Sequence, residues 1–230
     1  MTAATLPSDP FLVKQSRDRA SAFFRGRRFK LIEEMIARIH AEKGHCRIID
    51  VGGREEYWAP ALDHLRACKA RVTIVNLERT QPEPGELFDF AFGDACDLSS
   101  YDTRTFDLAH SNSLIEHVGR WSDMRRCADE IRRVSENYYV QTPYFWFPLE
   151  PHFRAPFFHW LPQQVRARLV MSFKIGYFNK AATLDQAMQN VQSAELLDKR
   201  QMMSLFPDAE VRFERVFGLP KSLIAVRESN

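Results

Sequence analysis

Polar side chains recur in this chain where apolar runs stop. Asp50 closes the run 47–51, Asn76 and Glu78 fall around the end of 71–77, Asp94 follows 88–92, and Ser111 with Asn112 follows 106–110. If these runs are parallel strands, their ends share one edge of a sheet. A carboxylate or amide on that edge is placed to hydrogen-bond the hydroxyls of a ribose. Any one of these residues suits a helix N-cap or a turn equally well. Four strand ends in succession point instead to a nucleoside site. Gly52 and Gly53 come directly after the Asp50 run, and glycine, having no Cβ, lets the backbone approach a ligand closely. The dinucleotide fingerprint is not completed, because Arg54 and Glu55 follow the glycine pair. That argues against a nicotinamide-dependent dehydrogenase. Glu55 and Glu56 suit the first turn of a helix, where acids favour the dipole.

The elements that must position these residues follow from periodicity. Phe29, Ile32, Ile36 and Ile39 mark an amphipathic helix ending near Gly44. The run 47–51 reads as a strand buried on both faces. Trp58, Ala61, Leu62, Leu65 and Cys68 then fall at helical spacing. Strands are expected at 71–77, 88–92, 106–110 and 138–141, with a turn at 82–85 and a helix carrying Met124, Cys127, Ile131 and Val134. After Pro143 the rhythm changes to an aromatic and proline-rich loop, then helices over 162–172 and 183–200. Thr183 and Gln186 have capping-box spacing at the start of the second. The segments 211–217 and 222–226, joined by Gly218-Leu219-Pro220, predict a terminal β-hairpin. Strands alternating with helices predict an α/β fold: a mostly parallel sheet with helices on both faces.

A chain of 230 residues, 45% apolar and 27% charged, is expected to form one globular domain. The formal net charge of +2, with no dense run of Lys and Arg, argues against nucleic acid as a partner. Arg25, Arg27, Arg28 and Lys30 read as a solvated helix entrance. Cys46, Cys68, Cys96 and Cys127 lack zinc or redox spacing and suit buried, reduced thiols. Residues 1–10 carry no signal-peptide pattern, and no run reaches the ~18 apolar residues of a membrane span. The expectation is a cytoplasmic protein without a transmembrane segment.

Several segments carry a resemblance to a known family. They are 48–53 (Ile-Ile-Asp-Val-Gly-Gly), 93–98 (Gly-Asp-Ala-Cys-Asp-Leu), the most specific one, 106–118 (Phe-Asp-Leu-Ala-His-Ser-Asn-Ser-Leu-Ile-Glu-His-Val), and 139–143 with 147–153. Together they resemble the class I S-adenosylmethionine-dependent methyltransferases, in the group called methyltransferase type 11. The resemblance implies a Rossmann-like seven-stranded sheet whose last strand is antiparallel. It implies a single methyltransferase domain over 1–230, with an N-terminal extension at 1–26 and an acceptor-side insertion or lid at 143–200. S-adenosyl-L-methionine is the cofactor implied. Gly52 and Gly53, following Asp50, would pass under its methionine part, Asn76 or Glu78 would take the ribose, Asp94 and Ala95 the adenine edge, and Ser111 and Asn112 would lie beside the sulfonium. No metal is required. The family usually has a further glycine where Arg54 stands. The expectation here is that the Arg54 guanidinium pairs with the methionine carboxylate.

Methyl transfer from a sulfonium is an in-line displacement that chiefly needs alignment and exclusion of water. A hydroxyl acceptor also benefits from a base. The candidates are His110, His117, Glu150, His152 and His159, with His152, Glu150 and His117 preferred. Ser113 and Glu116 have capping-box spacing for the next helix, and no ligand spacing favours a metal on Glu116, His117, His152 and His159. The aromatic side chains within 144–160 suit an acceptor pocket or lid, a satellite core, a peripheral membrane contact or a homodimer patch. Arg154, Arg166 and Arg168 nearby suit an anionic acceptor. The function expected is methyl transfer, preferably to oxygen, on a small molecule, sugar or lipid-linked group. The alternative is a degenerate, non-catalytic relative that binds a partner through the aromatic loop.

Overall fold

The computed structural model describes residues 19–78 and 84–229, with side chains from residue 28 onward. The expected turn at 82–85, most of the extension 1–26, and the side chains of Arg25 and Arg27 therefore lie outside the described residues. The chain divides into two compact units. The larger is Phe29–Pro148 with Gln192–Asn230, and the smaller holds Leu149–Val191 with the residues before Phe29.

The larger unit is built on a seven-stranded sheet. Its strands are β1 (Cys46–Val51), β2 (Ala70–Asn76), β3 (Phe88–Phe92), β4 (Leu108–Asn112), β5 (Tyr138–Pro143), β6 (Glu210–Val216) and β7 (Leu219–Arg227). They lie in the order β3-β2-β1-β4-β5-β7-β6. The first five are parallel, and β7 runs antiparallel to both of its neighbours. The hairpin between β6 and β7 turns at Phe217 (φ 48°) and Gly218 (φ 82°), one residue earlier than expected. Two consecutive positive φ values give the primed turn whose twist matches paired strands.

Apolar alternation covers both faces of the sheet. On one face Ile48, Val72, Leu108 and Tyr139 pack with Phe29, Ile32, Ile36 and Ile39 of α1 (Arg19–Lys43) and with Leu65 of α2 (Leu62–Ala67). On the other, Ile49, Val51, Ala109 and Val140 meet Met124, Cys127, Ile131 and Val134 of α3 (Trp121–Val134). All four cysteines are free and buried. The helix expected from Trp58 is instead two short 3-10 turns, Glu55–Tyr57 and Ala59–Ala61, followed by α2. Pro60 explains this: it lacks an N–H, and its ring would meet the carbonyl four residues back in a continuous α-helix.

In the smaller unit, α4 (Gln163–Ser172) and α5 (Leu184–Gln192) enclose a satellite core of Phe153, Phe158, Ala167, Val170, Ala187 and Val191. The single helix expected over 183–200 is two, α5 and α6 (Lys199–Leu205). Thr183 Oγ1 accepts from the Gln186 N–H, and the Gln186 side chain accepts from the Ala182 N–H. The aromatic loop divides by burial: Phe153 and Phe158 are core, whereas Trp146, Phe157 and Trp160 are exposed.

Asp107 ties the strands to α1. It is buried, and accepts from Lys43 Nζ (2.8 Å) and from the Arg47 N–H (2.8 Å). Burial pushes its carboxyl up, but hydrogen bonds from Arg47 and Lys43 together outweigh that and hold it below the usual carboxylate range. A depressed folded-state value means the stabilisation is present above the unfolded carboxylate value and fades as pH falls through the folded one. Asp107→Asn is expected to cost about 1.5–3 kcal/mol at neutral pH, the range for hydrogen bonds to a charged group. The difference from the parent in urea unfolding should shrink below about pH 4. An equal difference at pH 7 and pH 3 would remove this account.

Candidate functional site

The parallel register brings the carboxyl ends of β1 to β5 to one edge. The strand order reverses between β1 and β4, which opens the crevice where such sheets bind ligands. Gly52–Gly53 leaves β1 on one side of this point, and Ser111–Asn112 leaves β4 on the other. Gly52 has φ +75°, and a Cβ on it would stand 2.5 Å from Leu114 Cδ1. A Cβ on Gly53 would stand 1.8 Å from Asp50 Oδ2. The turn is therefore closed to side chains at both positions.

Asp50 is fully buried. Its Oδ2 accepts from Trp58 Nε1 at 2.7 Å, and His110 Nδ1 lies 2.7 Å from Oδ1. The second contact follows from register, since Asp50 and His110 are partners across the β1–β4 ladder. A carboxylate can only accept, so the His110 proton sits on Nδ1. His110 Nε2 is buried with no hydrogen-bond partner. The ring stacks on Tyr139 at 5.6 Å, with Tyr57 and Trp58 each at 5.0 Å. Both oxygens of Asp50 are thus committed to holding the turn against β4. His110, among the bases considered from sequence, is part of this internal scaffold.

The remaining expected residues line the same edge. Asn76 Nδ2 donates to the Gly53 carbonyl at 3.1 Å. Arg54 forms an ion pair with Glu78, so the cation expected at a carboxylate and the acid expected at a ribose meet each other. Asp94 is exposed; its Oδ1 accepts from the Cys96 N–H at 2.9 Å, and Ala95 is buried beside it. Ser111 is buried, its Oγ donating to the Val51 carbonyl at 3.1 Å, and Asn112 is half-buried.

Beyond β4 the structure corrects one reading. Ser113 and Glu116 do not form a capping box: Ser113 Oγ hydrogen-bonds Gln141 Oε1 at 3.0 Å, and Glu116 is buried. At the start of α3, Asp123 Oδ2 accepts from the Arg120 N–H at 2.9 Å instead. Glu116 Oε2 accepts from Thr142 Oγ1 at 2.8 Å, and its Oε1 has no hydrogen-bond partner. His117 Nδ1 lies 2.7 Å from the Ser193 carbonyl.

In the smaller unit, Glu150 and His152 are buried and paired, His152 Nδ1 lying 2.7 Å from Glu150 Oε1. The other Glu150 oxygen accepts from the Phe153 N–H. Arg166, in α4, has its guanidinium pushed down by burial, with the nearby Glu150 charge opposing. Arg154 lies over the Tyr177 ring at 4.6 Å.

Residues 49–137 match the family described as "Methyltransferase domain". This segment of the chain is similar to a methyltransferase domain. The matched segment holds the glycine turn, the ends of β1 to β4 and α3. No curated protein matches the sequence. Among solved structures, an S-adenosylmethionine-dependent methyltransferase from Aquifex aeolicus is 12% identical, with a TM-score of 0.50, over 96% of this chain and 98% of that one. A protein described as a zinc-dependent alcohol dehydrogenase from Rhodobacter sphaeroides is 10% identical, with a TM-score of 0.51, over 80% and 85%. A third, 1,6-didemethyltoxoflavin-N1-methyltransferase from Burkholderia thailandensis, is 17% identical, with a TM-score of 0.47, over 100% and 94%. At these identities the first two likenesses speak for the fold alone. Among the described residues, no helix is long and apolar enough to cross a membrane.

Proposed function

We propose that this chain is an S-adenosylmethionine-dependent methyltransferase that transfers the methyl group to a hydroxyl of a small molecule, sugar or lipid-linked group. The observation that carries the reading is the buried Glu150–His152 pair. A carboxylate that fixes one imidazole nitrogen sets the tautomer and presents the other nitrogen as a base. With the donor bound, His152 would accept the proton of a hydroxyl acceptor, and Glu150 holds the ring. His117 is the second candidate, its Nδ1 likewise fixed, by the Ser193 carbonyl. The segment 143–200 supplies the acceptor side, and Arg166 suits an acceptor with an anionic group.

The donor residues fit S-adenosylmethionine chemically. Gly52 and Gly53 give the close backbone approach, Asn76 and Glu78 offer ribose partners, Asp94 with Ala95 suits the adenine amino edge, and Ser111 with Asn112 stands at the switch point. Arg54 is the cation for the methionine carboxylate, poised by Glu78. Arg54→Ala should weaken S-adenosylhomocysteine binding several-fold on calorimetry. Equal or tighter binding would remove that role.

One observation favours a second reading, a fold that has lost its donor. Arg54, Glu78, Asn76 and Gly53 are engaged with one another across the turn. Calorimetric titration with S-adenosylmethionine and S-adenosylhomocysteine separates the two. Micromolar binding supports the enzyme and justifies screening hydroxylated acceptors. No binding of either by folded protein supports the degenerate form.

A further inference from the structure

We propose that Cys96 and Cys127 form a reversible disulfide that switches the adenine edge of the donor site, an inference that rests on the donor reading above. The two cysteines have no redox spacing in the sequence, but the fold brings them together. Cys96 Sγ donates to the Asp123 carbonyl at 3.3 Å. Asp123 lies one helical turn before Cys127 in α3, and a helical side chain covers the turn N-terminal to its own Cα. The Cys127 side chain therefore lies over the turn on which Cys96 rests. Both thiols are free and belong to one core cluster, and the Cys127 thiol donates to the Cys96 sulfur.

The four cysteines differ in reactivity, because the thiolate is the nucleophile. The hydrogen bond from Cys127 lowers the Cys96 thiol, whereas that bond and burial together push Cys127 well up. Burial pushes Cys46 up to about 12 and raises Cys68 as well. Cys96 also sits at the rim of the core, 8% exposed against 0% for Cys127. A low, reachable thiol beside a protonated one is the arrangement of an attacking and a resolving cysteine. With a peroxide as oxidant, the Cys96 thiolate attacks one peroxide oxygen and the O–O bond breaks, giving a sulfenic acid and hydroxide. The Cys127 thiol then attacks that sulfur, and its proton leaves with the sulfenic hydroxyl as water. A dithiol reverses the bond by exchange. The link to the donor edge is short. Asp94 Oδ1 accepts from the Cys96 N–H at 2.9 Å, and the Asp94 carbonyl accepts from the Asp97 N–H at 2.9 Å. Cys96 is thus inside a tight turn that begins at Asp94. Closing the sulfurs to the ~2.05 Å of a disulfide draws this turn toward α3, and Asp94 and Ala95 away from the adenine edge.

The test treats the full chain with hydrogen peroxide and then with dithiothreitol. Peptide mapping by mass spectrometry and calorimetric titration with S-adenosylhomocysteine follow each stage. The expected result is a Cys96–Cys127 bond that dithiothreitol reverses, with donor affinity at least about fivefold weaker while the bond is closed, the low end for coupled sites. Cys127→Ala should form no bond and should let dimedone trap Cys96 as its sulfenic acid. Cys96→Ala should form neither and keep its donor affinity through the treatment. Cys68→Ala should respond as the parent does. Circular dichroism confirms that each variant is folded, and either variant of the pair is enough. Peroxide that leaves the pair reduced, or that oxidises Cys46 or Cys68 first, overturns the switch, as does a mapped bond with unchanged donor affinity. Reduced protein that binds no donor overturns the methyl-transfer reading instead, and the redox pair then stands or falls on the mapped bond.

Discussion

Gly53→Ala should be strongly damaging to both stability and donor binding. The added Cβ would stand 1.8 Å from Asp50 Oδ2, far inside any real contact. A flexible side chain would swing away, but Asp50 cannot. It is fully buried, between the Trp58 indole N–H and His110 Nδ1, each at 2.7 Å. Moving it leaves those two donors and a carboxylate unpaired in the core, and breaking a buried charged network costs about 3–5 kcal/mol. For a chain of this size that corresponds to a fall in Tm of roughly 10 °C. The same movement shifts the glycine turn, so S-adenosylhomocysteine affinity should fall by about two orders of magnitude, close to 2.7 kcal/mol. Gly85→Ala is the control, since nothing lies within 4 Å of its Cβ, and it should stay within about 0.5 kcal/mol of the parent. Calorimetric melting and donor titration read both effects. A Gly53→Ala protein with the parent's Tm and donor affinity would show that the Asp50 network does not brace the turn.

His152→Ala should have the largest effect on turnover. A positioned base contributes about 10²–10⁴ in rate, and the loss should fall on kcat with donor affinity unchanged. Glu150→Gln is the sharper probe. Its amide could accept from His152 Nδ1–H, but the other end would turn an N–H2 toward the Phe153 N–H, which now donates to Glu150. Either the ring or the backbone loses its acceptor. Turnover should fall by at least about tenfold, as expected when a base loses the group that holds its tautomer. Full activity in both variants would remove His152 and point to His117.

The sequence by itself determined the fold and the sheet edge on which those polar residues sit. Apolar alternation over 47–51, 71–77 and 88–92, helical spacing in α3, and polar residues at four strand ends act within a few positions. They were legible without any knowledge of what lies across the sheet. So were the glycine turn, the terminal hairpin and the segments that resemble the methyltransferases. The tertiary structure alone decided what those residues touch. Asp50 and His110 are 60 positions apart and meet only because β1 pairs with β4 in one register. Arg54 and Glu78 share a turn region only because β2 lies beside β1. Glu116 has the spacing of a cap, yet Thr142 at the end of β5 draws it into the interior. Pro60 divided a helix that side-chain periodicity alone would have run straight through. Local pattern fixes which face a side chain takes. Strand register and chain reversal, which couple distant residues, fix its partners and so its chemistry.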